Sequence, residues 1–195
     1  DRVSTTLRPA DRVHLVSFNQ HISERPVPVT AGQALSSALE SPSGGTSLFD
    51  ALVASSIRPR EPGYRSLLIA FTDGDDSMSF LDERSVLEVA RRAGVSMFLV
   101  AAVDRAGPTG DRPLKHRALF DAVTRFTGGE VAVIGRNEDV CDAFVRAVAS
   151  FRDSYVLRYE LEGTRQTGWH EIAVRVKREG NFDIRARQGY FAADR

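Results

Sequence analysis

Hydrophobic residues fall along this chain in two rhythms, and one gives way to the other near residue 152. Before that point, short apolar runs alternate with stripes at helical spacing. Val13–Phe18 is a β-branched and aromatic run that predicts a buried strand. Residues 27–30 look extended, with Pro28 confining them to an edge or hairpin. Residues 32–39 suit a short helix, and Pro42, Gly44 and Gly45 break the pattern. A helix is expected from near Thr46, with Leu48, Phe49, Leu52 and Val53 on one face. Residues 66–71 and 95–103 are almost continuously apolar, as strands covered on both faces should be. Between them, helix 82–93 carries Asp82 and Glu83 in its first turn, the stripe Val86, Val89, Ala90 and Ala93, and Arg91 and Arg92 before the stop at Gly94. A Gly/Pro/Asp-rich loop over 104–113 leads to helix 115–127, striped by Ala118, Leu119, Ala122, Val123 and Phe126 and ended by Gly128-Gly129. Val131–Ile134 is a short strand. Asn137 is then expected to cap a helix striped by Val140, Phe144, Val148 and Phe151.

After residue 152 the period is two. Tyr155, Leu157, Tyr159 and Leu161 alternate with polar residues, as do Ile172, Val174 and Val176, then Phe182, Ile184 and Ala186, with turns at Gly163 and Gly180-Asn181. The expected architecture is α/β: a Rossmann-like, mostly parallel sheet with helices on both faces over 1–152, followed by a small antiparallel β appendage of three strands over 153–195.

Composition narrows the function classes. The 195 residues carry no formal net charge, which gives no reason to expect nucleic acid or an anionic membrane as partner. The single cysteine, Cys141, excludes an intrachain disulfide and cysteine-based zinc frameworks, and is expected to be a small core residue. His14, His21, His116 and His170 show no paired ligand spacing. No run approaches the roughly 18 apolar residues of a membrane span. The chain opens on Asp1-Arg2-Val3 with neither an initiator Met nor a signal peptide, and reads as a fragment or processed form.

In open α/β sheets, ligands bind at the carboxyl ends of the strands. Two segments there carry chemistry. Thr72-Asp73-Gly74-Asp75-Asp76-Ser77 sets three carboxylates just past a buried strand. Crowded carboxylates need a cation or hydrogen-bond donors, and Mg²⁺ takes oxygen ligands of this kind; a solvated acidic turn is the plainer alternative. Gly44-Gly45-Thr46-Ser47 places a hydroxyl at a helix start, where it can cap the helix or bind a cation. No Lys follows the glycines, so the segment is not a P-loop.

Together the two segments resemble the von Willebrand factor type A (VWA) family over residues 1 to about 150. Gly45-Thr46-Ser47-Leu48 is similar to the second loop of that family's metal-ion-dependent adhesion site, and Phe71-Thr72-Asp73-Gly74 to the third. Asp11-Arg12-Val13, the acidic loop and the ending Arg185-Ala186-Arg187-Gln188-Gly189-Tyr190-Phe191 look like a bacterial subgroup, abundant in acidobacteria and usually exported. The resemblance implies a non-enzymatic adhesion-type module that holds Mg²⁺ (or Ca²⁺ or Mn²⁺) through Thr46 and Asp73, with Asp75 and Asp76 as further candidates. It also implies a protein partner whose Asp or Glu completes the metal shell, and an exported location.

The family's first strand and its Asp-x-Ser-x-Ser loop have no counterpart before Val13, and residues 1–9 read as the tail of the helix that follows that strand. Asp75-Asp76-Ser77-Met78-Ser79 spells the motif but lies in the wrong loop; Ser77 and Ser79 are expected to form a turn and cap helix 82–93. The metal site is therefore expected to work in the intact parent and to be impaired, or empty of metal, in these 195 residues. Two alternatives remain. Asp73-Gly74-Asp75 resembles the nucleophile loop of haloacid-dehalogenase-type, Mg²⁺-dependent phosphotransfer enzymes. A structural scaffold without a working metal site is the other, with Arg185 and Arg187 on the last strand as a contact surface and Trp169 packed at the domain seam.

Overall fold

The computed structural model describes residues 5–27, 44–102, 113–135, 139–158 and 167–192. Strand β1 (Val13–Phe18) pairs antiparallel with β2 (Ile22–Val27), in register from Val13 opposite Val27 to Phe18 opposite Ile22. Asn19 closes the turn, its side-chain oxygen accepting from the His21 amide at 2.7 Å. Strands β3 (Ser66–Thr72), β4 (Val95–Ala102) and β5 (Glu130–Ile134) form a parallel sheet in that order. Ser66 lies opposite Val95, and Phe98 opposite Glu130. Parallel strands need crossovers, and helices α2 (Glu83–Arg92) and α3 (Arg117–Thr127) provide them. Helix α1 (Leu48–Ser56) precedes β3 and α4 (Val140–Arg152) follows β5.

Alternate side chains of each strand face opposite ways, and both faces are used. On one, Ala70 of β3 with Met97 and Leu99 of β4 meets Leu48, Phe49 and Leu52 of α1, Val86 and Ala90 of α2, and Leu119, Phe120 and Val123 of α3. On the other, Ile69, Val100 and Ile134 meet Ala143 of α4. The α/β architecture expected from the sequence, with helices on both faces of a parallel sheet, is the one observed. Gly129 shows how tightly β5 is fed in: a Cβ there would collide with the backbone of Met97.

Several local expectations need correction. α1 starts at Leu48, not Thr46, and its N-cap Ser47 makes no side-chain cap. Asp82 is the N-cap of α2 rather than a first-turn residue, and the helix ends at Arg92, with Ala93 already extended. α3 starts at Arg117, and its buried face includes Phe120, Thr124 and Thr127 while Ala118 is exposed. Asp139 caps α4, accepting from the Cys141 amide; Asn137 lies outside the described residues. Val140 is exposed and Cys141 only half-buried. The segments 28–30, 32–39 and 104–112, and Tyr159, Leu161 and Gly163, also lie outside the described residues.

The carboxyl-terminal part departs most. Among the described residues its strands are two, β6 (Gly168–Glu171) and β7 (Gly189–Ala192), paired antiparallel with Trp169 opposite Phe191. Residues 172–188 and 155–158 are outside regular strands. The alternating residues Val176, Phe182 and Ile184 are exposed, as are Tyr155 and Leu157. Alternation forms a sheet only where something covers its apolar face, and nothing among the described residues does so there. The ribbon instead packs on α2 and α3. Trp169 meets Phe126 edge-on at 5.7 Å, and Arg92 lies over the Phe191 ring at 4.0 Å. Arg185 and Arg187 precede the last strand, and at the surface Arg185 pairs with Glu130 while Arg187 donates to the Arg91 carbonyl at 2.9 Å.

Phe120 is wholly buried where α3 meets the sheet. Phe120→Ala is expected to lower stability by about 3–5 kcal/mol, through lost burial plus the cavity left behind, measured by urea unfolding at unchanged m-value.

Candidate functional site

Three pieces of chain converge beyond the carboxyl ends of the strands. After β1, the Asn19 carbonyl accepts from the Ser47 amide at 2.8 Å. After β3, Ser77 and Met78 donate their amides to the Thr46 carbonyl at 2.9 and 3.0 Å, and the Thr46 amide returns a bond to Ser77 Oγ at 3.0 Å. Gly45 permits the approach, since a Cβ there would run into Met78. The two motifs singled out in the sequence are thus joined through their backbones.

The junction solves a problem in helix α1. The first amides of a helix have no partners within it, and Ser47 supplies none. Asp76 and Ser79 do so from the other loop. The Phe49 amide donates to Asp76 Oδ1 at 3.2 Å and to Ser79 Oγ at 3.1 Å, and the Asp50 amide donates to Ser79 Oγ at 3.2 Å. Ser79 in turn donates its hydroxyl to Asp76. The debt is reciprocal, because the Asp50 carboxylate accepts the amides of Phe80 and Leu81 at 3.0 and 2.9 Å. Ser77 and Ser79 therefore brace α1, not α2. Helix α2 is capped by Asp82, whose carboxylate accepts both the amide and the hydroxyl of Ser85. Those bonds, the hydroxyl first, hold Asp82 below the ordinary carboxylate range.

The remaining acidic residues also have partners. Asp73 Oδ1 accepts from the Asp75 amide at 3.0 Å, a local turn bond. Asp75 pairs with Lys115 Nζ at 2.9 Å. The segment carrying Lys115 lies over the loop: Gly74 has φ +86°, and a Cβ there would strike Leu114. His116 follows with φ 55°, a left-handed conformation unusual for a non-glycine residue. Its ring meets Phe49 edge-on at 5.0 Å and pairs with Glu83. Asp50, Lys115 and His116 escaped the reading of the sequence. Asp50 had a faint signal, an acidic residue in the first turn of a helix; Lys115 and His116 had none, because their role depends on a tertiary contact.

A divalent cation was expected at Thr46 and Asp73, with Asp75 and Asp76 in reserve. Asp76 caps helix α1 through Oδ1, and Asp75 pairs with Lys115. Among the described residues no group of three or more His, Cys, Asp or Glu side chains is disposed to hold a metal. Thr46 and Asp73 supply two oxygen side chains, and a Mg²⁺ ion takes about six oxygens, several of them commonly water. The described residues alone do not account for the rest. A separate cavity of about 270 Å³ lies against α4, lined among others by Val100, Ala143, Arg146 and Arg185; it contains none of the motif residues.

No family model matches the chain, and no curated protein matches it. Solved structures do. A conserved hypothetical protein BatB from Bacteroides thetaiotaomicron aligns with a TM-score of 0.55 at 15% identity, over 78% of this chain and 84% of that one. An aerotolerance-related membrane protein from Bacteroides fragilis aligns with a TM-score of 0.56 at 11% identity, over 76% and 84%. The likeness is one of fold. It extends over most of the α/β architecture described above and says nothing about ligands.

Asp76→Ala should remove both the cap of α1 and the anchor of Ser79, lowering stability by about 1–2 kcal/mol, read by chemical denaturation against wild type. Asp82→Asn tests the other cap through pH. A carboxylate whose pKa is depressed by folding contributes stability above its unfolded pKa and loses it as pH falls through the folded one. The melting-temperature gap between wild type and Asp82→Asn should therefore be open at neutral pH and close below the ordinary value of 3.8; a gap independent of pH would assign the bond to something other than the ionised carboxylate.

Proposed function

We propose that this chain is a non-enzymatic protein-binding module of the VWA type, whose docking face is the rim formed by residues 44–50, 73–82 and 114–116. The observation that carries the reading is the backbone junction of Thr46 with Ser77 and Met78. It brings the Gly-Thr-Ser and Thr-Asp-Gly segments, in the order the resemblance requires, to the carboxyl edge of a parallel sheet. The fold shared with the two Bacteroides proteins supports the same reading. A scaffold role needs nothing more than this rigid rim.

A cation enters the proposal only with ligands beyond the described residues. Thr46 and Asp73 are then the contribution of this chain, and a partner's carboxylate completes the metal shell. An exported location, in the periplasm, at the cell surface or secreted, belongs to the same proposal. One fold neighbour is described as a membrane protein, while no helix among the described residues here is long and apolar enough to cross a membrane. Phosphotransfer gains no support, since Asp75, the acid/base of that alternative, is held by Lys115.

Calorimetric titration of Mg²⁺ into the 195-residue chain should give affinity no better than the order of millimolar, and p-nitrophenyl phosphate with excess Mg²⁺ should not turn over. Submillimolar binding abolished by Asp73→Asn would restore a self-sufficient metal site. Mg²⁺-dependent turnover would sink the binding-module reading.

A further inference from the structure

The loop from Ser77 to Asp82 ends the docking rim, and it displays apolar side chains outward. Phe80 is 100% exposed, Met78 51% and Leu81 36%. A lone exposed apolar residue is ordinary. Three within four positions, on a loop that is firmly held, are not. The Phe80 and Leu81 amides are clamped by the Asp50 carboxylate, and Ser79 between Met78 and Phe80 is tied to Asp76 and to two amides of α1. The backbone that presents Phe80 is already ordered, so docking it costs little further chain entropy. Transfer of a phenylalanine from water to an apolar pocket is the kind of contact that dominates interfaces.

Charge selects what receives it. The loop and its surroundings carry Asp50, Asp73, Asp75, Asp76, Asp82 and Glu83. Among the described residues, the basic side chains beside them in the sequence are Arg84 and Lys115, and Lys115 pairs with Asp75. Membrane-inserting surfaces combine apolar residues with basic ones and are repelled by anionic lipid when acidic. A second copy docking rim to rim would oppose like charges. A protein with a basic surface around an apolar pocket is complementary to both features.

We propose that Phe80, displayed by the Asp50 clamp, is the anchor by which the rim docks into an apolar pocket on a partner protein, and that the pocket is bordered by Arg or Lys. The inference rests on the reading of the rim as a docking face and adds the anchoring residue and the chemistry of the partner. It does not require the metal.

The experiment uses the intact protein in its native host with p-benzoylphenylalanine at position 80, and at Tyr64, ahead of β3, as control. Irradiation should give a discrete protein adduct from position 80 and not from 64. The crosslinked protein is then purified and titrated with wild type, Phe80→Ala and Asp73→Ala. Phe80→Ala should melt with wild type, because its side chain is fully exposed, yet bind about 10- to 100-fold more weakly, and wild-type binding should weaken as salt rises. Loss with Phe80→Ala while Asp73→Ala binds normally supports the anchor and removes the metal bridge. Loss with Asp73→Ala alone keeps the rim and overturns the anchor. No adduct at position 80, Phe80→Ala binding within about twofold of wild type, or Phe80-dependent flotation with phosphatidylcholine/phosphatidylglycerol vesicles would each overturn the proposal.

Discussion

The first amides of helix α1 set the terms for the rest of the rim. A helix start with no capping side chain of its own leaves polar groups that must be satisfied elsewhere. Here Asp76 and Ser79 reach across from the loop after β3, while Asp50 satisfies two amides of that loop in exchange. Each segment thus supplies hydrogen-bond partners that the other lacks within itself. The packing of Leu48 and Phe49 into the core depends on the same junction, because these residues open the helix that the junction fixes. The display of Phe80 follows from it as well.

Oxygen atoms of Asp, Ser and Thr accept from an N–H or bind a hard cation with the same lone pairs. A sequence lists the oxygens without saying which donors will come near. That is why the acidic loop after β3 read as a metal site, and why two of its three carboxylates turn out to be spoken for, Asp76 by a helix terminus and Asp75 by Lys115. The pairing partners sit 27 and 40 positions away in the chain. Such contacts are set by the fold and leave no local trace.

The elements whose apolar pattern was long and regular were legible. Val95–Ala102 and Ser66–Thr72 are strands because almost every residue is apolar and both faces are covered. α2 is readable from its charged ends and single stripe. Strand β2 was not, because Ser23, Glu24, Arg25 and Pro26 carry no strand signal and form a strand through pairing with β1. The carboxyl-terminal alternation misled for the converse reason, a strand-like pattern with no surface to cover it.

Trp169 is the only indole in the chain. It sits on the ribbon formed by β6 and β7, edge-on to Phe126 of α3, and Gly189 stands so close that a Cβ would press on its ring. Its fluorescence therefore reports the attachment of the ribbon, whereas far-ultraviolet dichroism is dominated by the helices of the α/β part, α1 to α4 among the described residues. The molecule carries a built-in pair of optical probes. Coincident melting of the two would mean that ribbon and sheet unfold as one cooperative unit, and separate melting that the ribbon is an independent fastening.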